Sequence, residues 1–229
     1  MNIFSDKIKN VKLFSGIADQ DLSSLLSCLS AVVKSYKKDE IIFLSGQPAK
    51  SVGIICLGSV HVFKEDFIGN RTIISALSAG ELFGESYACA QTSSIPVSVM
   101  ATTDSKIMLI DYRKIITTCP TTCTFHSRLV ENMLGILAYK NVALGQKVDV
   151  ISRRTTREKL IAFLSEQARK LETNCFTIPF NRQELADYLC VERSAMSAEL
   201  SKMQKSGIIE TNKNEFKLLN MPDEQKYNN

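Results

Sequence analysis

Residues 181–200 read NRQELADYLCVERSAMSAEL, and the placement of the apolar side chains in this stretch decides the fold of the C-terminal part of the chain. Leu185, Ala186 and Leu189 lie on one face of a helix predicted over Arg182 to Leu189, and Met196, Leu200 and Met203 on one face of a second over Arg193 to Lys205. Only a tight turn fits between them. An extended piece at Phe176 to Pro179 precedes the pair, and Gly207 leads into a hairpin through Ile208 to Leu219. Two short helices across a tight turn, followed by a β-hairpin, are the parts of a winged helix-turn-helix. The second helix then turns Arg193, Ser194, Ser197, Ala198 and Ser201 outward, near the end that enters a major groove, where small side chains allow close approach to base edges. Arg182, Lys202, Lys205 and Lys213 flank this face and are expected at phosphates, with Gln183 beside them among the DNA-binding residues. Between Gly145 and Asn220 there are 13 basic and 10 acidic residues, a surplus of three in a chain of formal net charge +4, so most of the excess positive charge belongs here. Glu199 has two readings, an acceptor for a cytosine amine or a salt bridge within the helix.

Toward the N-terminus, Leu160, Phe163, Leu164 and Leu171 form the apolar face of a helix at Arg157 to Glu172, and the polar stretch Ile151 to Thr156 before it reads as a hinge. From about Thr122 to Val148 the positions Val130, Leu134, Leu137, Asn141, Leu144 and Val148 follow one another at alternating intervals of four and three. That is the heptad seam through which two helices pack knobs into holes, so this long helix is the predicted interface of a homodimer. Asn141 within the seam is expected to fix register at some cost in stability.

Before residue 115 the pattern changes. Short apolar runs at Glu40 to Leu44, Val52 to Cys56, Val60 to Phe63 and Thr72 to Leu77 are separated by turns holding Gly46, Gly58, Gly69 and Gly80, and further strands fit Val97 to Ala101 and Lys106 to Asp111. Strand-sized runs at this spacing predict an all-β roll or barrel. A short helix, Asp19 to Leu29, precedes it, with Asp19 as N-cap and Leu22, Leu25, Leu26 and Leu29 on one face. The fold class is therefore α+β, with a jelly-roll-like β-roll at 1–120, a dimerisation helix at 121–150 and a winged helix-turn-helix DNA-binding domain at 151–229.

At 229 residues, 45% hydrophobic and 23% charged, the chain is long enough for two cores, and disorder, collagen and an isolated coiled coil are excluded. No apolar run approaches the ~18 residues of a membrane helix, and the charged start at Met1 to Asn10 is unlike a signal peptide, so a cytoplasmic protein without a membrane partner is expected. The seven cysteines (Cys28, Cys56, Cys89, Cys119, Cys123, Cys175, Cys190) are odd in number and scattered, as reduced thiols are. Cys119 and Cys123 are the one close pair, and with only His61 and His126 to add, a metal or redox centre is not expected. No clustered nucleophile, base or metal set is visible, so the chain is not expected to be an enzyme.

Over nearly its whole length the chain is similar to the Crp/Fnr family of bacterial transcription regulators. The resemblance is carried by Leu13-Phe14-Ser15-Gly16-Ile17, Gly46, Leu57-Gly58-Ser59-Val60, Gly80-Glu81-Leu82-Phe83-Gly84-Glu85 and the helix-turn-helix. It implies a cyclic-nucleotide-binding-type roll that senses an effector, a homodimer, double-stranded DNA as partner, and RNA polymerase as the further partner of an activator. The departures narrow this. In members that bind cyclic AMP, an Arg-Ser-Ala or Arg-Thr-Ala triplet follows the Gly-Glu-x-x-Gly-Glu segment and its arginine neutralises the cyclic phosphate. Here the corresponding stretch is Ile95-Pro96-Val97, and no lysine or arginine occurs between Arg71 and Lys106. A buried phosphate needs a charge-assisted donor, so cyclic AMP is not the expected effector, and both effector and cofactor stay unassigned.

Glu85, which holds the ribose hydroxyl in such members, here either meets a ligand or closes the turn at the mouth of the roll. Tyr87, Ala88, Cys89, Ile95, Val97 and Val99 suit an apolar or aromatic small molecule, or simply a filled core. The candidate effector pocket is Gly84, Glu85, Ser86, Tyr87, Ile95, Pro96 and Val97, with Lys140 and Asn141 reaching it from the long helix of either subunit. Other members sense oxygen through an iron–sulfur cluster on clustered N-terminal cysteines, and only Cys28 is found there. Haem or redox sensing, with His126 the better axial candidate, and a non-standard cyclic-nucleotide pocket are the alternatives. In the reading helix, Ala198 stands where many relatives carry an arginine and Ser194 where the best-known carry a glutamate, while Arg193 and Ser197 match. The resemblance thus implies an operator unlike the family's usual consensus.

Overall fold

Residues 11–117 and 124–220 are described by the computed structural model, and the chain divides into two units between Asn141 and Val142. Cys119, Thr122 and Cys123 lie outside the described residues.

The first unit opens with a 3-10 turn at Lys12–Phe14 and helix α1 (Asp19–Cys28). Ala18, extended at ψ 145°, is the last residue before the helix and hence its N-cap, so Asp19 is the first helical residue rather than the cap expected from the sequence. Strands β1 (Val32–Tyr36), β2 (Ile41–Phe43), β3 (Ser51–Leu57), β4 (Ser59–Glu65), β5 (Arg71–Ser78) and β6 (Leu82–Phe83) follow. Then come the short helix α2 (Glu85–Cys89), strands β7 (Ser98–Ala101) and β8 (Ser105–Asp111), and the short helix α3 (Tyr112–Ile116). They make two four-stranded antiparallel sheets, ordered β1-β8-β3-β6 and β2-β7-β4-β5. This is the expected roll, with β1 and β6 added to the strands read from the sequence.

Strand β3 explains how the roll is filled. Val52, Gly53, Ile54, Ile55 and Cys56 are all buried, because both faces of its sheet are covered. Ile55 packs with Val60, Leu77, Phe83, Ile95, Val97 and Val99 in the core between the sheets. Val52, Ile54 and Cys56, on the opposite face, pack with Leu22, Leu25 and Leu29 of α1 and with Leu129, Met133 and Ile136 of helix α4 (Thr124–Ser152). A continuous apolar run is what a strand buried on both sides requires.

Helix α4 is 29 residues long. Leu129, Met133 and Ile136 are buried in the first unit, and Lys147 and Val150 in the second. Of the predicted seam, Leu134, Leu144 and Val148 are 64%, 52% and 53% exposed, Asn141 is exposed, and Val130 and Leu137 are half-buried. The break after α4 falls within the polar stretch 151–156, of which Ile151 and Ser152 are still helical.

The second unit continues with α5 (Thr156–Leu171), started by a capping box in which the Thr155 hydroxyl accepts from the Glu158 N–H and the Glu158 carboxylate from the Thr155 N–H. Then come β9 (Cys175–Thr177), α6 (Arg182–Leu189), α7 (Arg193–Lys205), β10 (Ile209–Asn212) and β11 (Glu215–Leu218), the three strands forming an antiparallel sheet in the order β10-β11-β9. The β10–β11 hairpin is the wing.

Gly53 faces Phe83 across the β3–β6 pair, and a Cβ placed on it would lie 2.2 Å from the ring's Cζ. That ring is held in turn by Phe43, at 5.1 Å in an edge-to-face contact. Gly53→Ala is therefore expected to destabilise the roll by about 2–3 kcal/mol, read as a melting temperature about 5–10 °C lower, whereas an unchanged melting temperature would show that the ring yields.

Candidate nucleic-acid interface

Asn181 starts α6 by accepting the Gln183 and Glu184 N–H groups at 2.9 and 3.0 Å, while Glu184 accepts the Asn181 N–H at 2.7 Å. Leu185, Ala186 and Leu189 are buried beneath it. The helix stops at Cys190, which takes the left-handed conformation (φ 53°) usually given to glycine, and α7 begins three residues later. Met196, Leu200 and Met203 anchor α7 and are 0–3% exposed. Arg193, Ser194, Ala198, Ser201 and Lys202 are exposed and Ser197 is half-buried, so the side chains expected outward from the sequence share the uncovered side of this helix. Ser201 spends its hydroxyl proton on the Ser197 carbonyl at 2.9 Å.

The polar neighbours divide into engaged and open groups. Glu199 accepts from Arg157 Nη1 of α5 at 2.9 Å and has Lys202 Nζ at 3.8 Å, so its carboxylate holds α7 on α5. Gln183 Nε2 donates to Asp187 one turn on, at 2.8 Å. Arg182 is half-buried, and Nη2 donates to the Thr211 hydroxyl at 2.9 Å instead of extending into solvent. Lys202 and Lys205 at the end of α7 and Lys213 at the wing tip, with φ 52°, are exposed.

Beneath α6, Tyr188 packs at 4.8 Å from Phe180 and 5.6 Å from Phe163, and Lys147 Nζ of α4 lies 3.9 Å above its ring. Burial pushes the Lys147 ammonium down to about 8, from an ordinary value of 10.5, against a smaller opposing pull from Cys190. Burial, and then the charge of Glu166, pushes the Tyr188 phenol up to about 12. No element of the sequence reading singled out these two, since neither carries a motif.

At the mouth of the roll, Gly84 (φ 79°) precedes α2, and a Cβ there would lie 2.9 Å from the Phe43 ring. Glu85 is 2% exposed, and its Oε1 accepts from Lys140 Nζ of α4 at 2.8 Å and from the Ser86 hydroxyl at 3.2 Å. Lys140 Nζ also donates to the Leu82 carbonyl. Lys140 is thus held at the mouth by Glu85 itself. Ile95, Val97 and Val99 are 1–3% exposed and belong to the core between the sheets, with Tyr87 packed against it. Ala88 and Cys89 belong to the cluster on the other face of the β3 sheet, so the expected lining is divided by that sheet. Ser86, Pro96 and Asn141 are exposed. His126 is buried, with Nε2 at 3.2 Å from the Lys114 carbonyl, and His61 is buried on β4. Among the described residues, no group of three or more His, Cys, Asp or Glu side chains is placed to hold a metal, and no helix is long and apolar enough to cross a membrane.

Comparison with known proteins follows this division. Residues 33–121 match the cyclic nucleotide-binding domain family and residues 158–223 the Crp-like helix-turn-helix domain family. The cyclic AMP receptor protein of Thermus thermophilus is 22% identical over 205 residues, covering 88% of this chain and 89% of that protein. The transcriptional activator protein FnrA of Stutzerimonas stutzeri is 23% identical over 188 residues, covering 80% and 75%. Among solved structures, FixK2 from Bradyrhizobium japonicum superposes with a TM-score of 0.66 at 23% identity, covering 82% of this chain and 92% of that one. The c-di-GMP-responsive regulator CLP of Xanthomonas campestris gives 0.71 at 17% identity, covering 86% and 99%. A cyclic-nucleotide-binding-type roll joined to a Crp-like helix-turn-helix defines a DNA-binding transcription regulator. The chain belongs to the Crp/Fnr family.

The Lys147–Tyr188 contact has a measurable signature. Folded Lys147 loses its proton near pH 8 and the unfolded side chain near 10.5, so between them the unfolded chain binds the extra proton and stability rises with pH, by up to about 3 kcal/mol. Tyr188 acts in reverse, because above pH 10 the unfolded phenol ionises while the folded one holds its proton to about 12, and stability falls. Burial also raises the Cys56 and Cys89 thiols above their ordinary 9.0, so their unfolded counterparts ionise first and turn stability down from about pH 9. Urea unfolding under reducing conditions should show stability rising from about pH 8 and turning over near pH 9, and Lys147→Met should flatten the rise; a rise unaltered in the variant would assign it elsewhere.

Proposed function

We propose that the chain is a homodimeric, sequence-specific DNA-binding regulator whose roll sets its activity in response to a small molecule other than cyclic AMP. The observation that carries this reading is the division of α7, whose Met196, Leu200 and Met203 are buried while Arg193, Ser194, Ala198 and Lys202 are exposed. A helix so divided, in second place of a helix-turn-helix, offers one side to a major groove and brings hydroxyls, a methyl group and a guanidinium to base edges. Dimerisation is supported by the seam of α4, because exposed Leu134, Leu144 and Val148 at heptad spacing form an apolar stripe whose burial by a second copy is favourable. Two copies supply two reading helices, which a palindromic operator needs about 34 Å apart. RNA polymerase is the partner of an activator of this kind.

The Glu85–Lys140 pair gives the roll a route to the seam, since it ties α2 at the mouth to the helix that carries Leu134 and Leu144. A small molecule that competes for Glu85 would bias α4 between two arrangements, which is a population shift and needs no chemistry. The Thermus relative is named for cyclic AMP and the Xanthomonas regulator for c-di-GMP. This chain has Ile95-Pro96-Val97 where a phosphate-neutralising arginine is expected, and the lysine brought to the mouth is already engaged by Glu85.

Arg193→Ala and Ser197→Leu are expected to weaken binding to duplexes selected from a random library by tenfold or more, a loss of at least about 1.4 kcal/mol, with the dimer intact in sedimentation. Wild-type affinity in both variants, or no enrichment of any duplex by the unaltered protein, would overturn the assignment of α7. For the roll, cyclic AMP at about 1 mM is expected to leave the melting temperature unchanged, and a clear rise would overturn the argument from the missing arginine.

A further inference from the structure

Arg182 opens α6 at the edge of the DNA face, where an arginine is ordinarily a phosphate ligand, yet its guanidinium turns to the wing. Nη2 donates to the Thr211 hydroxyl at 2.9 Å, the guanidinium carbon is 5.3 Å from the centre of the Phe216 ring, and Nη1 is buried without a hydrogen-bond partner. Burial also lowers the proton affinity of the group. An arginine that binds phosphate presents its N–H fork to solvent, and this fork is covered.

Thr211 completes the link. Its hydroxyl accepts from Arg182 and donates to the Glu215 carbonyl at 3.0 Å on the facing strand, and its pairing partner in the hairpin is Phe216. Phe216 is stacked on Phe176 of β9, 6.3 Å between ring centres and 19° between planes. One side chain of the first helix therefore touches both strands of the wing, two residues before the tip where Lys213 is exposed. We infer that Arg182 is a positioning residue that fixes the wing against α6 so that Lys213 meets a phosphate, and that Arg182 makes no DNA contact of its own. The inference rests on the reading of α6 and α7 as the DNA-binding pair. Lysine cannot replace this arginine, since it has no planar group to lie on Phe216 while bonding Thr211.

The test uses the full-length protein and a duplex selected by the unaltered chain from a random library, with affinity measured across salt concentrations. Thr211→Val keeps the charge of Arg182 and removes only its acceptor. The expected result is an affinity about five- to tenfold lower, a salt slope smaller by about one, and no further loss when Lys213→Ala is added. Arg182→Lys, folded by circular dichroism, is expected to show the same loss and the same slope. Wild-type affinity and slope in Thr211→Val, or full affinity in Arg182→Lys, would make Arg182 a phosphate ligand and overturn the inference while leaving the DNA-binding reading intact. Failure of the unaltered protein to enrich any duplex would instead strike the DNA-binding reading itself.

Discussion

A helix of 29 residues, about 44 Å long, presents more surface than either unit of this chain covers, and the use of each side of α4 governs the rest. One side closes the roll through Leu129, Met133 and Ile136. Near its other end, Lys147 and Val150 are buried in the second unit. The stripe left over, Leu134, Leu144 and Val148, is apolar and open to water, and its heptad spacing is the ground on which a second copy is proposed to pack there. Asn141 is exposed in the middle of that stripe, and in the proposed dimer its amide would disfavour a shifted register, where it would face side chains that cannot hydrogen-bond.

The buried ion pair at the mouth of the roll follows from the same helix. Glu85 is nearly inaccessible, and an isolated carboxylate at that depth would be neutral or would prevent folding. Lys140 is 26% exposed along its side chain and so retains part of its hydration while satisfying Oε1. Oε2 of Glu85 is buried without a hydrogen-bond partner, so the pair still carries the desolvation cost that makes most buried pairs a poor source of stability. The arrangement reverses the charge logic of a nucleotide pocket, because the cation at the mouth is neutralised from within the chain.

The sequence made the periodic parts of this fold legible and the solitary parts invisible. The inward faces of α6 and α7 repeat with the helix, so apolar spacing alone located them. Strand β3 was visible as an unbroken apolar run, for it is buried on both faces. Strand β1 was missed because Val32, Val33, Lys34 and Ser35 at the sheet edge are all exposed, and an exposed edge imposes no alternation. Strand β6 has two residues and α2 and α3 five each, too few for any period to register. The contacts that give the site its character, Arg182 to Thr211, Arg157 to Glu199 and Glu85 to Lys140, join residues 29, 42 and 55 positions apart. Single polar pairs at such distances leave no local pattern. Neither stretch of sequence carries a signal that Glu85 holds Lys140.

These engaged pairs shape what α7 offers to DNA. Glu199 is withdrawn onto Arg157 and Arg182 onto the wing, so neither the acceptor for a cytosine amine nor a phosphate fork projects from those positions. The exposed reading side keeps Arg193 with the small Ser194, Ser197 and Ala198, set between Lys202, Lys205 and Lys213. An arginine at position 198 would offer a bidentate fork to guanine; a methyl group offers only apolar contact, best met by the methyl of thymine. Hydroxyls discriminate weakly because each donates and accepts. On the proposed assignment of α7, few strong base contacts beside several exposed cations would rest affinity mainly on phosphates and make it depend steeply on salt, with sequence preference falling more on the bend and groove width of the operator than on a dense set of base-edge hydrogen bonds.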